Sequence, residues 1–252
     1  MPEQKRGRNK DSSLQALHLP PPFQLTRLRE IGDAFAHACA NATSLGAGAL
    51  VLVGRFDLAE FAVVLEPEEP LAIARRALYA GMAALGNALA ALAPPEKPIT
   101  IEWPDAVLVD GGLVGGGRLA WPEAAPEDAV PEWLVFGAMI RTVSMTGIEA
   151  GLHPLATALE DEGFGDASAE QLTEGFARHL MVAADRWREA GFGAVRADYL
   201  TKLRPEEGVR YDLDDHGDLQ VRRPGLEVEH RALKTLLETP SWLDPHIGGP
   251  RL

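Results

Sequence analysis

Residues 101–116 read IEWPDAVLVDGGLVGG, and this stretch decides the fold. Its apolar runs are short, rich in β-branched residues and broken by turn residues, which is the pattern of strands. We predict strands over Ile99–Trp103 and Val107–Val109, then a turn at Asp110-Gly111-Gly112 that leads into a further strand at Leu113-Val114. The stretch therefore predicts neighbouring strands joined by tight turns.

On the N-terminal side of this stretch, helical and strand patterns alternate. Apolar residues recur at helical spacing over Gln24–Asn41 and again from Leu71 to Leu92, where the pair Pro94-Pro95 would stop the helix. Between them, Ala49–Val53 and Phe61–Leu65 are short apolar runs bracketed by glycine and proline. We predict that these two runs are strands and that they pair.

On the C-terminal side, Ser168 and Gln171 have the spacing of a capping box, and Gly191 would end the helix that follows. Other patterns predict, in chain order, a strand over Trp133–Ile140, a short helix through Tyr199 and Leu203 that ends at Pro205, a hairpin of Val209–Leu213 and Leu219–Val221, and a helix over Glu229–Leu237.

This order of elements predicts an α+β fold, in which a mixed, largely antiparallel sheet is covered by helices. Residues 1–18 are polar and basic and read as a disordered tail, which the proline run at 20–22 separates from the folded part. We predict a main domain over residues 19–204 and a small C-terminal α+β subdomain, a hairpin plus a helix, over residues 205–252.

Charge and cysteine content narrow the class of function. The chain has 252 residues and a formal net charge of -13, which repels nucleic acid and anionic membranes, so neither is an expected partner. The basic N-terminus is followed by no apolar stretch of the length that a signal peptide or a membrane span requires, and the single cysteine, Cys39, argues against a disulfide or a multi-cysteine metal site. We expect a cytoplasmic protein without a metal site of its own.

The deciding stretch resembles the heart of the biotin protein ligases, where K-W-P-N-D precedes a D-G-x-K-x-x-G-G turn. The order of the flanking elements also agrees, and the resemblance to the biotin/lipoate protein ligase family covers roughly residues 19–204. It implies a sheet like that of the class II synthetases. It also implies that ATP, with Mg, activates biotin, lipoate or another small carboxylic acid for transfer to a carrier protein. A homodimer is a further option that the resemblance leaves open.

The resemblance also implies a cofactor pocket along the sheet. In the family, glycines in such positions let a flat ligand lie against the backbone. The residues of this chain that match the pocket positions are Gly54, Arg55, Trp103, Pro104, Gly115, Gly116 and Gly137.

The sequence departs from the family pattern where charge matters most. Glu102 stands at the position of the motif lysine, Asp105 at that of the motif asparagine, and Arg141 at that of a later asparagine. The basic loop G-R-G-R-x-G-R is reduced to Gly54-Arg55. One unit charge at 4 Å contributes about 4 kcal/mol at an effective dielectric near 20, so the reversal at Glu102 would lower a ligase rate by roughly 10³-fold.

Two interpretations follow from these departures. In the first, the fold persists as a non-catalytic binding or protein-interaction module. In the second, Arg118 and Arg141 supply the missing cations, Glu102 and Asp105 orient them, and the chain remains an ATP-dependent ligase or a related acyl transferase. The four charged residues are therefore the candidate catalytic set of the second interpretation.

Overall fold

The computed structural model describes residues 17–144, 155–165 and 167–252. The predicted tail over residues 1–18 lies almost wholly outside this part. Seven strands form the main sheet: β1 Gln24–Leu28, β2 Ala49–Val53, β3 Leu58–Leu65, β4 Ile99–Glu102, β5 Ala106–Val109, β6 Gly112–Ala120 and β7 Leu134–Arg141.

The described helices are α1 Ala34–Leu45, α2 Leu71–Ala74, α3 Ala77–Leu92, α4 Ala169–Ala190, α5 Phe192–Leu200 and α6 Leu233–Leu237. Two small sheets complete the structure, one of β8 Arg210–Leu213, β9 Leu219–Arg222 and β10 Glu229–Arg231, the other of β11 Leu243–Asp244 and β12 Gly249–Pro250.

The main sheet has the order β1-β2-β3-β7-β6-β5-β4. Its strands β1 and β2 run parallel, and every other neighbouring pair is antiparallel. This topology confirms the predicted mixed, largely antiparallel sheet covered by helices. The deciding stretch forms β4, β5 and the start of β6, as expected, because the turn at Asp110 and Gly111 has positive φ at both residues.

The two faces of the main sheet are covered differently, because successive side chains of a strand point to opposite sides. On the first face, here called the core face, Phe61 and Phe136 pack against Phe176 of α4, and α3 lies beside them. On the second face, here called the α1 face, Val51, Ala62 and Val135 pack under α1. Further along the α1 face, toward β5, the sheet is covered by Trp242.

The predicted helix over Gln24–Asn41 is wrong in its first part. Residues Gln24–Leu28 form β1, in parallel register with β2, and the helix begins at Ala34 after its cap, Asp33. Pairing with a strand that lies 25 residues further on overrides the local apolar spacing here. Ile31, which the helical pattern placed on the apolar side, is 97% exposed in the loop.

The long helix predicted from Leu71 to Leu92 is interrupted. It consists of α2 and α3, which Arg75 and Arg76 separate. Both arginine side chains are buried and bind acids elsewhere in the chain, Arg75 with Glu127 at 2.6 Å and Arg76 with Glu69 at 2.9 Å. These ion pairs fix the break, whereas the end of α3 before Pro94 agrees with the prediction.

The C-terminal elements are confirmed in part. The capping box at Ser168 and Gln171 begins α4, and Gly191 ends it, as predicted. The hairpin of β8 and β9 also agrees. The helix predicted over Glu229–Leu237 is wrong at its start, because residues 229–231 pair with β9 as strand β10 and leave only the five-residue α6.

Residues beyond 205 share the core of the main sheet. Their buried members of the main hydrophobic cluster are Leu213, Leu219, Val221, Leu233 and Leu237. Tyr79 of α3 donates a hydrogen bond to the carbonyl of Gly217, and Arg76 donates one to the carbonyl of Asp215 at 2.8 Å. The boundary at residue 205 stays a prediction.

Within the described ranges, no helix has the length and apolar character that a bilayer span needs.

Candidate functional site

Charged side chains collect on the α1 face of the sheet, beside the N-terminus of α1. Glu60 of β3 is 3% exposed, and its Oε1 accepts a hydrogen bond from the backbone N–H of Ala34 at 2.8 Å. Asp33, the cap of α1, accepts one from the N–H of Ala36. Because unpaired N–H groups and the helix dipole favour anions at this end, the helix stabilises both carboxylates. Burial nevertheless raises the pKa of Glu60 above its usual value.

Arg118 of β6 also lies near the N-terminus of α1. Its guanidinium lies over the ring of Phe35 at 4.0 Å, and Nη2 is 3.4 Å from Oδ1 of Asp33. The side chain is 17% exposed, and burial lowers its pKa. Among the described residues, Asp33 supplies the hydrogen bond to this guanidinium, which has five N–H donors. Arg118 is thus a mostly buried cation that uses few of its N–H donors within the described residues, on the same face as the buried Glu60.

Arg55 contributes less charge to this region than the sequence suggested. Its Nε and Nη2 bind the two carboxylate oxygens of Asp57, at 3.0 and 2.7 Å, within the loop that joins β2 and β3. This bidentate pair raises the pKa of Arg55 and lowers that of Asp57. The same loop leaves Phe56 63% exposed. Arg55 is therefore neutralised by its own loop, with Glu60 at 3.9 Å as a second, weaker partner.

The glycines of the predicted pocket are covered by aromatic rings of the chain itself. A Cβ at Gly137 would lie 2.4 Å from the ring of Phe35, and a Cβ at Gly116 would lie 2.3 Å from Cδ1 of Trp242. Trp242 is fully buried, and its Nε1 donates to the carbonyl of Gly117 at 2.8 Å. The missing side chains make room for these rings, as they would for a flat ligand.

Asp105 and Arg141 hold the segment that carries Trp242. The carboxylate of Asp105 accepts hydrogen bonds from Oγ of Ser241 at 2.6 Å and from its backbone N–H at 3.2 Å. Burial raises the pKa of Asp105 to about 6. Arg141 donates to the carbonyls of Pro250 at 2.7 Å and Arg251 at 3.3 Å, and burial lowers its pKa.

The structure divides the predicted site residues between the two faces of the sheet. Gly116, Gly137, Arg118 and Arg141 lie on the α1 face. Trp103 points to the core face instead, where its Nε1 donates to Tyr79 at 3.1 Å. The remaining predicted residues are placed as follows: the carbonyl of Pro104 accepts from Tyr199, Gly54 and Glu102 are exposed, and Gly115 abuts the carbonyl of Met139.

In the second interpretation of the sequence, Glu102 and Asp105 orient Arg118 and Arg141; the contacts in the structure are different. Arg118 contacts Asp33, and Arg141 contacts backbone carbonyls, whereas Asp105 binds Ser241. Sequence reasoning missed the acids and rings that complete the site, namely Asp33, Phe35, Glu60 and Trp242. One signal was available, because Glu60 is a lone acid inside the apolar run of β3.

The comparisons with known proteins agree with this architecture. The family model "Biotin/lipoate A/B protein ligase family" matches residues 19–201, which is most of the chain. The chain belongs to this family. A comparison with curated protein sequences gives no significant match.

Solved structures of the biotin/lipoate ligase family share the fold. A biotin protein ligase-like protein of unknown function from Silicibacter sp. TM1040 is 29% identical, with a TM-score of 0.75 over 88% of this chain and 99% of that one. The biotin protein ligase of Aquifex aeolicus is 15% identical, with a TM-score of 0.64 over 83% and 95%. The structure of the Aquifex aeolicus ligase in complex with biotin and ATP is 14% identical in sequence, with a TM-score of 0.62 over 82% of this chain and 94% of that one.

ATP, which the ligase family implies, does not fit the residues as they stand. The backbone cradle at Gly116 is filled by Trp242, and Arg141 is engaged by carbonyl groups. Within residues 17–144, 155–165 and 167–252, no group of three or more His, Cys, Asp or Glu side chains is placed to hold a metal ion.

Proposed function

We propose that this member of the ligase family binds a small carboxylic acid, of the biotin, lipoate or fatty acyl class, on the α1 face of the sheet. The observation that carries the proposal is the guanidinium of Arg118, which is mostly buried and, among the described residues, forms one long ion pair, with Asp33 at 3.4 Å. A buried guanidinium is stabilised by a carboxylate that accepts hydrogen bonds from two of its N–H groups. A ligand carboxylate would supply this pairing.

The surroundings of Arg118 suit an acid with an apolar body. The ring of Phe35 lies against the guanidinium of Arg118, and the exposed side chains of Ile31 and Phe56 belong to the two loops that follow β1 and β2. The N–H of Gly54 donates to the carbonyl of Leu28 at 3.1 Å and joins those loops. Exposed apolar side chains in the loop that carries Asp33, the partner of Arg118, and in the loop joined to it are a suitable lining for an amphipathic ligand.

The proposal includes the absence of ATP-dependent activation. Glu102 places an acid at the position of the motif lysine, and the carboxylate and phosphate of a reacting pair would both be anions. Arg55, the arginine that remains of the basic loop, is bound to Asp57. Transfer to a carrier protein, which the resemblance implies, and a homodimer, which it leaves open, stay predictions.

Arg118→Gln is expected to weaken the binding of the acid by about 10- to 100-fold, since charge-assisted hydrogen bonds contribute roughly 1.5 to 3 kcal/mol. The measurement is the shift of the melting midpoint with biotin, lipoate and octanoate, with and without ATP. At a hundredfold excess over Kd, a ligand adds about 2.7 kcal/mol to the free energy of unfolding.

The matched control for this experiment is Arg188→Gln, because Arg188 is 76% exposed on α4 and pairs only with Asp185 among the described residues. Its ligand-induced shift should equal that of the wild type. An equal shift for Arg118→Gln would contradict the proposed carboxylate site. No shift of the wild type with any of the acids would contradict the binding function and favour a protein-interaction role on the same fold.

Glu102→Lys, which restores the motif lysine, is expected to give no detectable acyl-adenylate. Glu102 is exposed, and the groove at Gly116 stays filled by Trp242 in this variant. The measurement is pyrophosphate release from ATP with each acid, compared for the wild type, Glu102→Lys and the charge-neutral Glu102→Gln. Release by Glu102→Lys alone would show that one charge is all that separates this chain from an active ligase.

A further inference from the structure

The last part of the chain crosses the α1 face over β5, β6 and β7. We call residues 241–251 the C-terminal strap. At its start, Ser241 binds the carboxylate of Asp105 and the adjacent Trp242 lies on Gly116; near its end, the carbonyls of Pro250 and Arg251 accept hydrogen bonds from Arg141. The pairing of β11 with β12 folds the strap into a short hairpin. Three separate anchors thus hold one short segment against the sheet.

The groove under the strap has the form of a site for one flat ring. Leu58, Ala106 and Met139 surround the indole of Trp242, and Gly116 allows the ring to reach the backbone. The carbonyl of Gly117 accepts the one polar hydrogen of the indole. Apolar walls, a bare backbone floor and a fixed hydrogen-bond acceptor are the features that a ring with an N–H donor requires.

We infer that the C-terminal strap excludes an adenine nucleotide from this groove, and that the groove accepts one when the indole is absent. A buried ring at Gly116 leaves no space for a second ring, because the interior of a protein is close-packed. Arg118 has no part in this exclusion.

The polar groups that the strap occupies match those of a nucleotide. The carbonyl of Gly117 and the carboxylate of Asp105 both accept hydrogen bonds, as the exocyclic amine of adenine requires. Arg141 now donates to Pro250 and Arg251, and release of the strap would free those donors for a phosphate. Base acceptors and a phosphate cation therefore lie side by side under one segment.

The strap lowers the apparent affinity for such a ligand by the fraction of molecules in which it is released. A groove that is open in about 1% of molecules binds its ligand about 100-fold more weakly than an open groove. Removal of the indole should therefore increase the affinity for adenine nucleotides by at least about tenfold, even if part of the strap remains in place.

The test uses the full chain with Trp242→Ala and measures the Kd of ATP and of adenosine by calorimetry. Binding of free indole shows whether the groove of the variant is intact, because a cavity left by a ring binds a ring of the same shape. The matched control is Trp187→Ala, since Trp187 packs against Phe192 on the core face. We expect Trp242→Ala to bind ATP at least about tenfold more tightly than the wild type and Trp187→Ala, and we expect indole to compete with ATP.

Suppose that indole stabilises the Trp242→Ala protein, so that its groove is intact. If this protein then binds ATP no more tightly than the wild type, the inference is wrong. If this variant does not fold, hydrogen exchange of the wild-type strap decides. Saturating ATP should accelerate exchange in residues 241–251, because bound nucleotide displaces the strap, or ATP should fail to bind at all. Bound ATP with unchanged exchange in the strap would contradict the exclusion. The acid-binding shift that depends on Arg118 is unaffected by either outcome, so the two proposals fail separately.

Discussion

Trp242→Ala is expected to lower the free energy of unfolding by about 3 to 5 kcal/mol, the range for removal of a large buried aromatic side chain. Trp242 is fully buried, and its loss would leave a cavity against Gly116 and an unpaired carbonyl at Gly117. Urea denaturation measures the change.

Two further variants separate the contributions of Trp242. Trp242→Phe keeps a ring but removes the hydrogen bond to Gly117, and it should cost about 1 to 3 kcal/mol. Trp187→Ala should cost less than Trp242→Ala, because Trp187 is only partly buried. A loss below about 1 kcal/mol for Trp242→Ala would mean that the strap is not part of the folded core.

Asp105→Asn is expected to stabilise the protein at neutral pH by roughly 3 kcal/mol and to leave its stability unchanged near pH 3. Burial raises the pKa of Asp105 from its ordinary value of 3.8 to about 6 in the folded protein. As the pH rises through this window, the unfolded chain loses its proton first, so the free energy of unfolding of the wild type falls. Above about pH 6 the loss is complete, since both states are ionised.

Asparagine removes this pH dependence because it does not titrate, and its carbonyl oxygen can still accept from Ser241. It is also the residue of the family motif at this position. The measurement is the free energy of unfolding of both proteins between pH 3 and pH 8, with the exposed Asp185→Asn as control. A constant difference between wild type and Asp105→Asn across this range would show that the carboxyl group titrates normally.

The predictable part of the fold is the part that local chemistry specifies. The strands of residues 99–116 follow from β-branched runs and from the turn at Asp110 and Gly111, and α4 follows from its capping box. The strand β1 could not be found in this way, because its apolar spacing fits a helix and its partner β2 lies far along the chain. The break at Arg75 has the same origin, since its partner Glu127 is 52 residues away.

The site was predictable only where the family motif marks it. Gly116 and Gly137 were identified as bare backbone, which they are, but no local pattern indicates that Trp242 and Phe35 fill the space above them. The partners of Arg118 and Asp105 also lie far away in the sequence, and polar contacts between distant residues leave no periodic signal. Motif positions can therefore be read from a sequence more reliably than the residues that contact them.

The parallel pair β1 and β2 explains why Arg118, Glu60 and the loops that carry Ile31 and Phe56 lie at the same end of the sheet. In a strand-helix-strand unit, the carboxyl ends of both strands and the first turn of the helix border one crevice, which is where open sheets hold their ligands. Here β1 ends at Leu28, β2 ends at Val53, and α1 begins at Ala34. A single local unit of this kind, set at the edge of a mainly antiparallel sheet, thus supplies the crevice geometry of a much larger class of folds.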